Sequence, residues 1–193
     1  MSAPSSPLMD MRATSAPSAT LSVARVASPL GPLLVVYDDE GVLRALDYAD
    51  YEPRMQRLLR AAYRPGRIPV AIHDALASFF AGQRDALAAL PIRPRGTPFQ
   101  QRVWSALREI PFGTTTSYAQ LAERIGMPRA CRAVGLANGQ NPIAIVVPCH
   151  RVIGKTGALT GYAGGLARKR WLLDHEKGTE LTSSRLAPSA TET

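Results

Sequence analysis

Short apolar runs rich in β-branched residues recur near the start of the chain, and turn residues separate them. The runs are LSVARV, LLVVY and VLRALDY, at residues 21–26, 33–37 and 42–48. The segments between them, SPLGP and DDEG, carry the proline, glycine and aspartate typical of turns. Strands that follow one another so closely tend to pair in sequence order. We therefore predict a three-stranded antiparallel meander.

Helical spacing replaces the strand pattern after residue 50. Apolar residues that share a helical face are Met55, Leu58, Leu59 and Ala62 in a first stretch, and Leu76, Phe79 and Phe80 in a second. Gly82 is expected to end the second helix, and PIRPRG at residues 91–96 is expected to be a linker. Residues 21–95 are thus predicted to form a small N-terminal α/β domain.

Residues 96–178 are predicted to form a second, mainly helical domain. Thr97 with Gln100, and Ser117 with Gln120, have the spacing of capping boxes that begin helices. The apolar face of the first helix is Phe99, Val103, Leu107 and Ile110. The second helix ends at Gly126, and another begins at once at Pro128. Two short helices joined by a tight turn are typical of a helix-turn-helix, a pattern found in plain helix packing and in DNA binding alike.

The helix at residues 128–138 combines arginines with small side chains. Arg129 and Arg132 stand among alanines and glycine in PRACRAVGLAN. Small residues allow close approach to the helix backbone. The helix could therefore pack tightly against a neighbouring helix or insert into a groove of DNA. Arginines seldom lie on a purely packed face, so we favour the DNA groove.

The most informative stretch is IAIVVPCHR, residues 143–151. Five apolar residues predict a buried strand, Pro148 ends it, and Cys149 is then held at the strand end, as a nucleophile requires. Positive charge and a base nearby, from Arg151 and His150, would raise its thiolate fraction. His175 or Glu176 is expected to orient His150, and the glycine-rich loop at 154–165 is expected to cover a flat substrate. The other cysteine, Cys131, is interpreted as inert.

Composition narrows the classes of protein. The 193 residues are 46% hydrophobic, which favours a folded core. The two cysteines and three histidines form no C-x-x-C or H-x-x-x-H pair, which disfavours a structural zinc site with its four close ligands. No apolar run is long enough to span a membrane and no secretory signal is apparent, so we expect a cytoplasmic protein. Residues 97–178 hold 11 basic and 4 acidic side chains and so carry most of the net charge of +8, which suggests nucleic acid. Residues 1–20 and 179–193 are predicted to be disordered tails.

These motifs together resemble one family. The family is the O6-alkylguanine-DNA alkyltransferases, which the chain resembles in several motifs. Around the cysteine these are NPIAIVV, PCHRVIG and GYAGGLARKRWLLDHE, and earlier in the chain they are FQQRVWSAL, PFGTTTSYAQLA and RAVGLAN. The resemblance covers about residues 97–178, and residues 21–95 fit the family's smaller α/β domain in outline. It implies a monomer that acts on double-stranded DNA and transfers an alkyl group from O6-alkylguanine, and from O4-alkylthymine, to its own cysteine once.

The resemblance also implies roles for individual residues. Cys149 would accept the alkyl group, His150 would act through a water, Glu176 would polarise His150, and Asn141 would brace the cysteine turn. Arg132 would fill the stack left by the flipped nucleotide. Tyr118 would help rotate the base and donate a hydrogen bond to the leaving guanine. Tyr162 would form a wall of the base pocket, and Val152 and the backbone of Ala163 would contact the base. Further DNA contacts are expected from Arg151, Ser117 and Lys169.

Two departures from the family and two other functions have to be weighed. Ala163 stands where some relatives have serine, and the zinc-binding residues of some animal members are missing, so no metal or cofactor is expected. A hydrolase built on Cys, His and Glu would turn over repeatedly, whereas an alkyl acceptor would stop after one event. A non-catalytic sensor of alkylated bases would lack the acceptor cysteine, and Cys149 is present.

Overall fold

The computed structural model describes residues 20–178, so the predicted tails lie outside the described residues, apart from Thr20. The strands are β1 Ser22–Val26, β2 Leu33–Tyr37, β3 Leu43–Tyr48, β4 Arg64–Pro65, β5 Thr116–Ser117 and β6 Val152–Ile153. The helices are α1 Glu52–Leu59, α2 Val70–Phe80, α3 Pro98–Arg108, α4 Tyr118–Arg124, α5 Cys131–Gly139 and α6 Leu166–Glu176. The predicted class, mixed α/β with a mainly helical second part, is confirmed.

The predicted meander forms the first sheet, in the order β3-β2-β1-β4. The pairs β1–β2 and β2–β3 are antiparallel, as predicted. The two residues of β4 add a short parallel pairing to β1 that the sequence did not indicate. Helix α1 ends earlier than predicted: Arg60 adopts a left-handed conformation at its C-cap, and Ala62 is exposed beyond it.

Both faces of this sheet are covered, which explains why all of β2 is buried. Because side chains alternate along a strand, Leu34 and Val36 face the small cluster that contains Met55 and Leu59 of α1. Leu33, Val35 and Tyr37 belong to a large cluster that extends through α3, α4 and α5. Residues on both sides of position 96 therefore share one core, and the division into two domains there stays a prediction.

Capping chemistry fixes the helices of the second half as predicted. The Thr97 and Ser117 side chains accept hydrogen bonds from the backbone N–H groups of Gln100 and Gln120, and both boxes are complete. After α4 the chain makes one 3-10 turn, Pro128–Ala130, and enters α5, which packs against α4. The helix-turn-helix prediction is confirmed as a fold feature.

The apolar run before Cys149 is buried but is not a strand, which corrects the prediction. Residues 144–146 form a turn between the bridge residue Ile143 and a bend at Val147, and the Val147 N–H donates to the Ile143 carbonyl at 3.0 Å. Ile145 has φ of 70°, a left-handed conformation that is uncommon for a β-branched residue. The only ladder contact among these residues is an isolated bridge between Ile143 and Leu46.

The free edge of β3 receives two segments from elsewhere in the chain. Ile143 pairs beside Leu46, and Ile92, from the predicted linker, pairs beside Leu43. The Leu46 N–H donates to the Pro142 carbonyl at 2.9 Å, and the Ala144 N–H donates back to Leu46 at 2.8 Å. The N-terminal sheet thereby holds the turn that leads to Cys149.

Candidate active site

Cys149 opens a 3-10 turn, Cys149–Arg151, and lies buried with 7% of its surface exposed. The Asn141 Nδ2 atom donates to Cys149 Sγ at 3.1 Å and to the Val147 carbonyl at 2.8 Å, while Asn141 Oδ1 accepts from the Ile143 N–H at 3.0 Å. One amide thus fixes both the sulfur and the turn before it. Burial raises the pKa of the thiol, and the Asn141 hydrogen bond offsets only part of that rise. Cys149 therefore rests as a thiol, which corrects the expected increase in thiolate.

His150 and Glu176 form a fully buried pair. His150 Nε2 lies 2.7 Å from Glu176 Oε1, and both side chains have no exposed surface. Burial lowers the pKa of His150 despite the carboxylate beside it. Burial works to raise the pKa of Glu176, but His150 and Arg151 outweigh it and hold the value at about 2. The pair is therefore a neutral imidazole beside an ionised carboxylate, with His150 Nδ1 free of any partner within residues 20–178.

Arg151 and Lys169 lie inside the protein, which corrects the prediction that they contact DNA. Arg151 donates to both carboxylate oxygens of Glu176, at 2.8 and 2.9 Å, and to the Ile110 carbonyl at 2.6 Å. Lys169 has no exposed surface, and its ammonium donates to the carbonyls of Val152 and Thr160, both at 2.6 Å. Arg151 balances the Glu176 charge, and Lys169 ties the glycine-rich loop to β6.

Of the two candidates for orienting His150, the structure selects Glu176. His175 points away and pairs its Nε2 with the Phe79 carbonyl at 2.8 Å. It also stacks on Trp171, with ring centroids 4.8 Å apart. His175 therefore joins α6 to α2 and is not part of the site.

Tyr162 of the glycine-rich loop is held by a residue of the N-terminal sheet. The hydroxyls of Tyr162 and Tyr48 lie 2.9 Å apart, and Tyr48 is fully buried. Gly164 makes this approach possible, because a Cβ there would lie 2.3 Å from the Tyr48 ring. The Arg168 guanidinium lies over that ring, 4.2 Å from its centroid.

A narrow, partly open cavity of about 10 Å³ lies beside the sulfur. Its lining residues are Asp47, Arg54, Asn138, Gly139, Asn141, Ala144, Cys149 and the loop residues Gly161, Tyr162, Ala163 and Gly164. Asp47 and Arg54 belong to the N-terminal half and form an ion pair. Arg54 also donates to the carbonyls of Gly139 and Asn141, at 2.7 and 3.1 Å. Neither residue could be identified from the sequence, since both are ordinary polar positions, one in a strand and one in a helix.

The remaining predicted residues lie around the helix-turn-helix. Arg132 is exposed on α5 and forms no ion pair within residues 20–178. Ser117 caps α4, with its Oγ accepting from the Gln120 N–H at 3.2 Å. Tyr118 is partly buried next to Gly135 of α5, and burial raises the pKa of its phenol. Val152 is fully buried in β6.

Cys131 is the second free cysteine. It is partly exposed at the start of α5, and in this position it has neither the burial nor the amide contact of Cys149. Within residues 20–178 no three His, Cys, Asp or Glu side chains are grouped closely enough to hold a metal ion. In the same range no helix is long and apolar enough to cross a membrane.

Comparison with known proteins identifies the family. Residues 98–178 match the family described as 6-O-methylguanine DNA methyltransferase, DNA binding domain. The chain is 52% identical over 159 residues to a methylated-DNA–protein-cysteine methyltransferase of Salmonella typhimurium, covering 79% of this chain and 93% of that protein. A protein of the same name from Mycobacterium tuberculosis is 49% identical over 154 residues, covering 79% and 90%.

A solved structure supports the same relationship. Mycobacterium tuberculosis OGT in complex with DNA matches with a TM-score of 0.75 and 43% identity, covering 86% of this chain and 98% of that one. Unlike the family model, this match and the two relatives extend well into the N-terminal half. The chain belongs to the methylated-DNA–protein-cysteine methyltransferase family.

Proposed function

We propose that this protein repairs O6-alkylguanine in double-stranded DNA by transferring the alkyl group to its own Cys149. The observation that carries the proposal is the sulfur held by Asn141 at a cavity, next to the buried pair of His150 and Glu176. The relatives are named for this activity, and one neighbour was solved with DNA. O4-alkylthymine is included among the proposed substrates.

The proposed reaction is a displacement at carbon. Sγ forms a bond to the alkyl carbon, the bond from that carbon to O6 breaks, and its electron pair stays on the guanine. A donor to the leaving base lowers the barrier. The Tyr118 phenol suits this role, because burial raises its pKa and the group stays protonated as a hydrogen-bond donor.

The thiol proton must leave before or during the attack, since Cys149 rests protonated. No hydrogen bond joins Sγ directly to His150 among residues 20–178, so transfer through a bridging water suits the pair. His150 Nδ1 is an unprotonated acceptor when Nε2 donates to Glu176. The ionised Glu176 stabilises the imidazolium that forms.

DNA binding would use the helix-turn-helix and its positive charge. An alkylated base within a duplex can be reached only after its nucleotide is extruded, at a cost of a few kcal/mol. Arg132, exposed on α5 among small side chains, is suited to fill the vacated stack. Ser117, Tyr162, Val152 and the backbone of Ala163 are proposed to complete the DNA and base contacts. A cytoplasmic monomer also belongs to this proposal.

Stoichiometry provides the test. A thioether has no carbonyl that water can attack, so each molecule should react once. With excess duplex carrying O6-methylguanine, intact-mass measurement should show one added methyl group, located on Cys149 by peptide mapping. Cys149→Ala should gain no mass, and Cys131→Ser, the matched control, should gain one methyl group like the wild type.

Two other outcomes would replace the proposal. Restored guanine in clear excess over protein would indicate the Cys-His-Glu hydrolase. Binding of the methylated duplex without any mass gain would indicate the non-catalytic sensor.

The role of Arg132 can be separated from folding. Arg132→Ala should slow transfer from a duplex by at least about tenfold, because filling the stack matters only when a base is flipped. The reaction of Arg132→Ala with free O6-benzylguanine should stay at the wild-type rate. The control variant Arg124→Ala should react with both substrates at the wild-type rate. Equal losses of Arg132→Ala on both substrates would assign Arg132 to stability instead.

A further inference from the structure

The cavity beside Cys149 is more polar than an alkyl group needs. Asp47, Arg54 and Asn138 all line it. Asp47 and Arg54 pair with each other, and Arg54 uses its other donors on the carbonyls of Gly139 and Asn141. These two side chains are therefore satisfied within the protein.

Asn138 is different. Its side chain is buried, with 3% of the residue exposed, and its Oδ1 has no hydrogen-bond partner among the described residues, 20–178. Within residues 20–178 just one other buried side-chain nitrogen or oxygen lacks a partner, namely His150 Nδ1. The proposed proton transfer uses His150 Nδ1, whereas it leaves Asn138 Oδ1 without a role.

An unpaired buried acceptor destabilises a protein by about 1–3 kcal/mol. Such atoms in native proteins usually have a functional or structural reason. A donor on a molecule that enters the cavity would remove this cost, so Asn138 points to a substrate that carries one.

The geometry of the displacement indicates which part of the substrate that is. The attacked carbon has to touch Cys149 Sγ, and an adduct longer than methyl has to place its further atoms in the space around the sulfur. Asn138 and Cys149 line the same cavity. A hydroxyl at the end of a two-carbon adduct would therefore come close to the Asn138 amide.

Resting on the proposed function, we infer that Asn138 is a specificity-determining residue that accepts a hydrogen bond from hydroxyl-bearing adducts. The favoured substrate class is O6-(2-hydroxyalkyl)guanine. The covalent step is unchanged: the same carbon moves from O6 to Sγ, and the hydroxyl is carried along without reacting.

The experiment compares two adducts of the same length. Single-turnover rate constants are measured on one duplex carrying either O6-(2-hydroxyethyl)guanine or O6-propylguanine, which differ by a hydroxyl in place of a methyl group. The wild type should react faster with the hydroxyethyl adduct by about tenfold, the order expected when a buried acceptor gains its donor.

Substitution assigns the preference to one side chain. Asn138→Leu keeps the approximate size and removes the acceptor, so the rate ratio should fall to about one. Asn138→Ala provides a second test should the leucine not fit. Gln140→Leu is the matched control two residues along, where the side chain bonds Gln100 outside this cavity, and it should keep the wild-type ratio.

Each failure has a separate meaning. Equal wild-type rates on the two adducts would overturn the inference while leaving alkyl transfer in place. A ratio that persists in both Asn138→Leu and Asn138→Ala would overturn the assignment to Asn138. No mass gain on Cys149 with either adduct or with O6-methylguanine would overturn the proposed function itself.

Discussion

The two halves of the chain contribute to the site in different ways. The C-terminal half supplies the sulfur, the imidazole and the carboxylate, and the first two are adjacent in sequence, at Cys149 and His150. The N-terminal half supplies Asp47 and Arg54, which line the cavity beside the sulfur, and Tyr48, which bonds Tyr162 of the cavity wall. These residues reach the site only through packing of the sheet and α1 against distant segments. Reactive groups can thus be local in sequence while the walls that position them are not. The substitutions below separate the two contributions.

The largest effect is expected from Glu176→Gln in the C-terminal half. The neutral amide leaves Arg151 buried without its counterion and removes the charge that stabilises protonated His150. Breaking a buried ion pair lowers the free energy of unfolding by about 3–5 kcal/mol. Loss of the charge that stabilises His150 as a proton acceptor should slow alkyl transfer by about 100-fold. Denaturant unfolding and single-turnover rates measure the two losses. Glu123→Gln, an exposed substitution, should change neither.

Arg54→Met tests the N-terminal half and should have a smaller effect. It removes the partner of Asp47 and the donor to the Gly139 and Asn141 carbonyls, at a cost of about 2 kcal/mol. Burial already raises the pKa of Asp47, so this carboxyl can take a proton once Arg54 is gone. Methyl transfer should slow less than in Glu176→Gln, while Arg57→Met, exposed on the same helix, should match the wild type. If Arg54→Met slowed methyl transfer as much as Glu176→Gln, the contributions of the two halves to the reaction could not be separated.

Acid should weaken the C-terminal cluster selectively. Glu176 has a pKa of about 2 in the folded protein and about 4.3 when unfolded. A lowered folded pKa stabilises above the unfolded value, and the stabilisation is lost as pH falls from about 4.3 towards 2. The wild-type melting temperature should fall more steeply across that range than that of Glu176→Gln. Parallel slopes would show that Glu176 is not the titrating group.

Tyr48→Phe should have the smallest effect, about 1 kcal/mol. The ring remains under Arg168, and only the hydrogen bond to the Tyr162 hydroxyl is lost. Transfer from O6-benzylguanine should rise relative to transfer from O6-methylguanine, because a freed Tyr162 lets the cavity wall move. Tyr51→Phe is the control, since Tyr51 also neighbours Arg168 but does not bond Tyr162. An unchanged ratio would assign Tyr48 to packing alone.

Local chemistry made much of the fold predictable. A threonine or serine three residues before a glutamine specifies a helix start by itself, and both boxes formed at Thr97 and Ser117. The strands β1, β2 and β3 pair in sequence order because the turns between them are short and leave few other pairings. The cysteine and its flanking sequence located the reactive centre.

What could not be predicted depends on contacts distant in sequence. The run at residues 143–147 indicates burial correctly, but an apolar run does not specify a conformation. Ile145 has a positive φ, which is not expected of an isoleucine. The resemblance implies DNA contacts for Lys169 and Arg151, whereas buried acceptors at Val152, Thr160 and Glu176 hold both side chains inside the protein. Arg54 gains its place through the Gly139 and Asn141 carbonyls at the end of α5, and Asp47 gains its place by pairing with Arg54.

The pairing of Ile143 with β3 has a consequence for the spent protein. A sheet edge with free N–H and C=O groups is a template on which other chains can add, and folded proteins usually keep such edges covered. Here the segment that covers the edge beside Leu46 is the turn that leads to the acceptor cysteine. An adduct large enough to displace that turn would expose the edge of β3. The alkylated protein would then be more prone to aggregation or degradation than the unreacted protein.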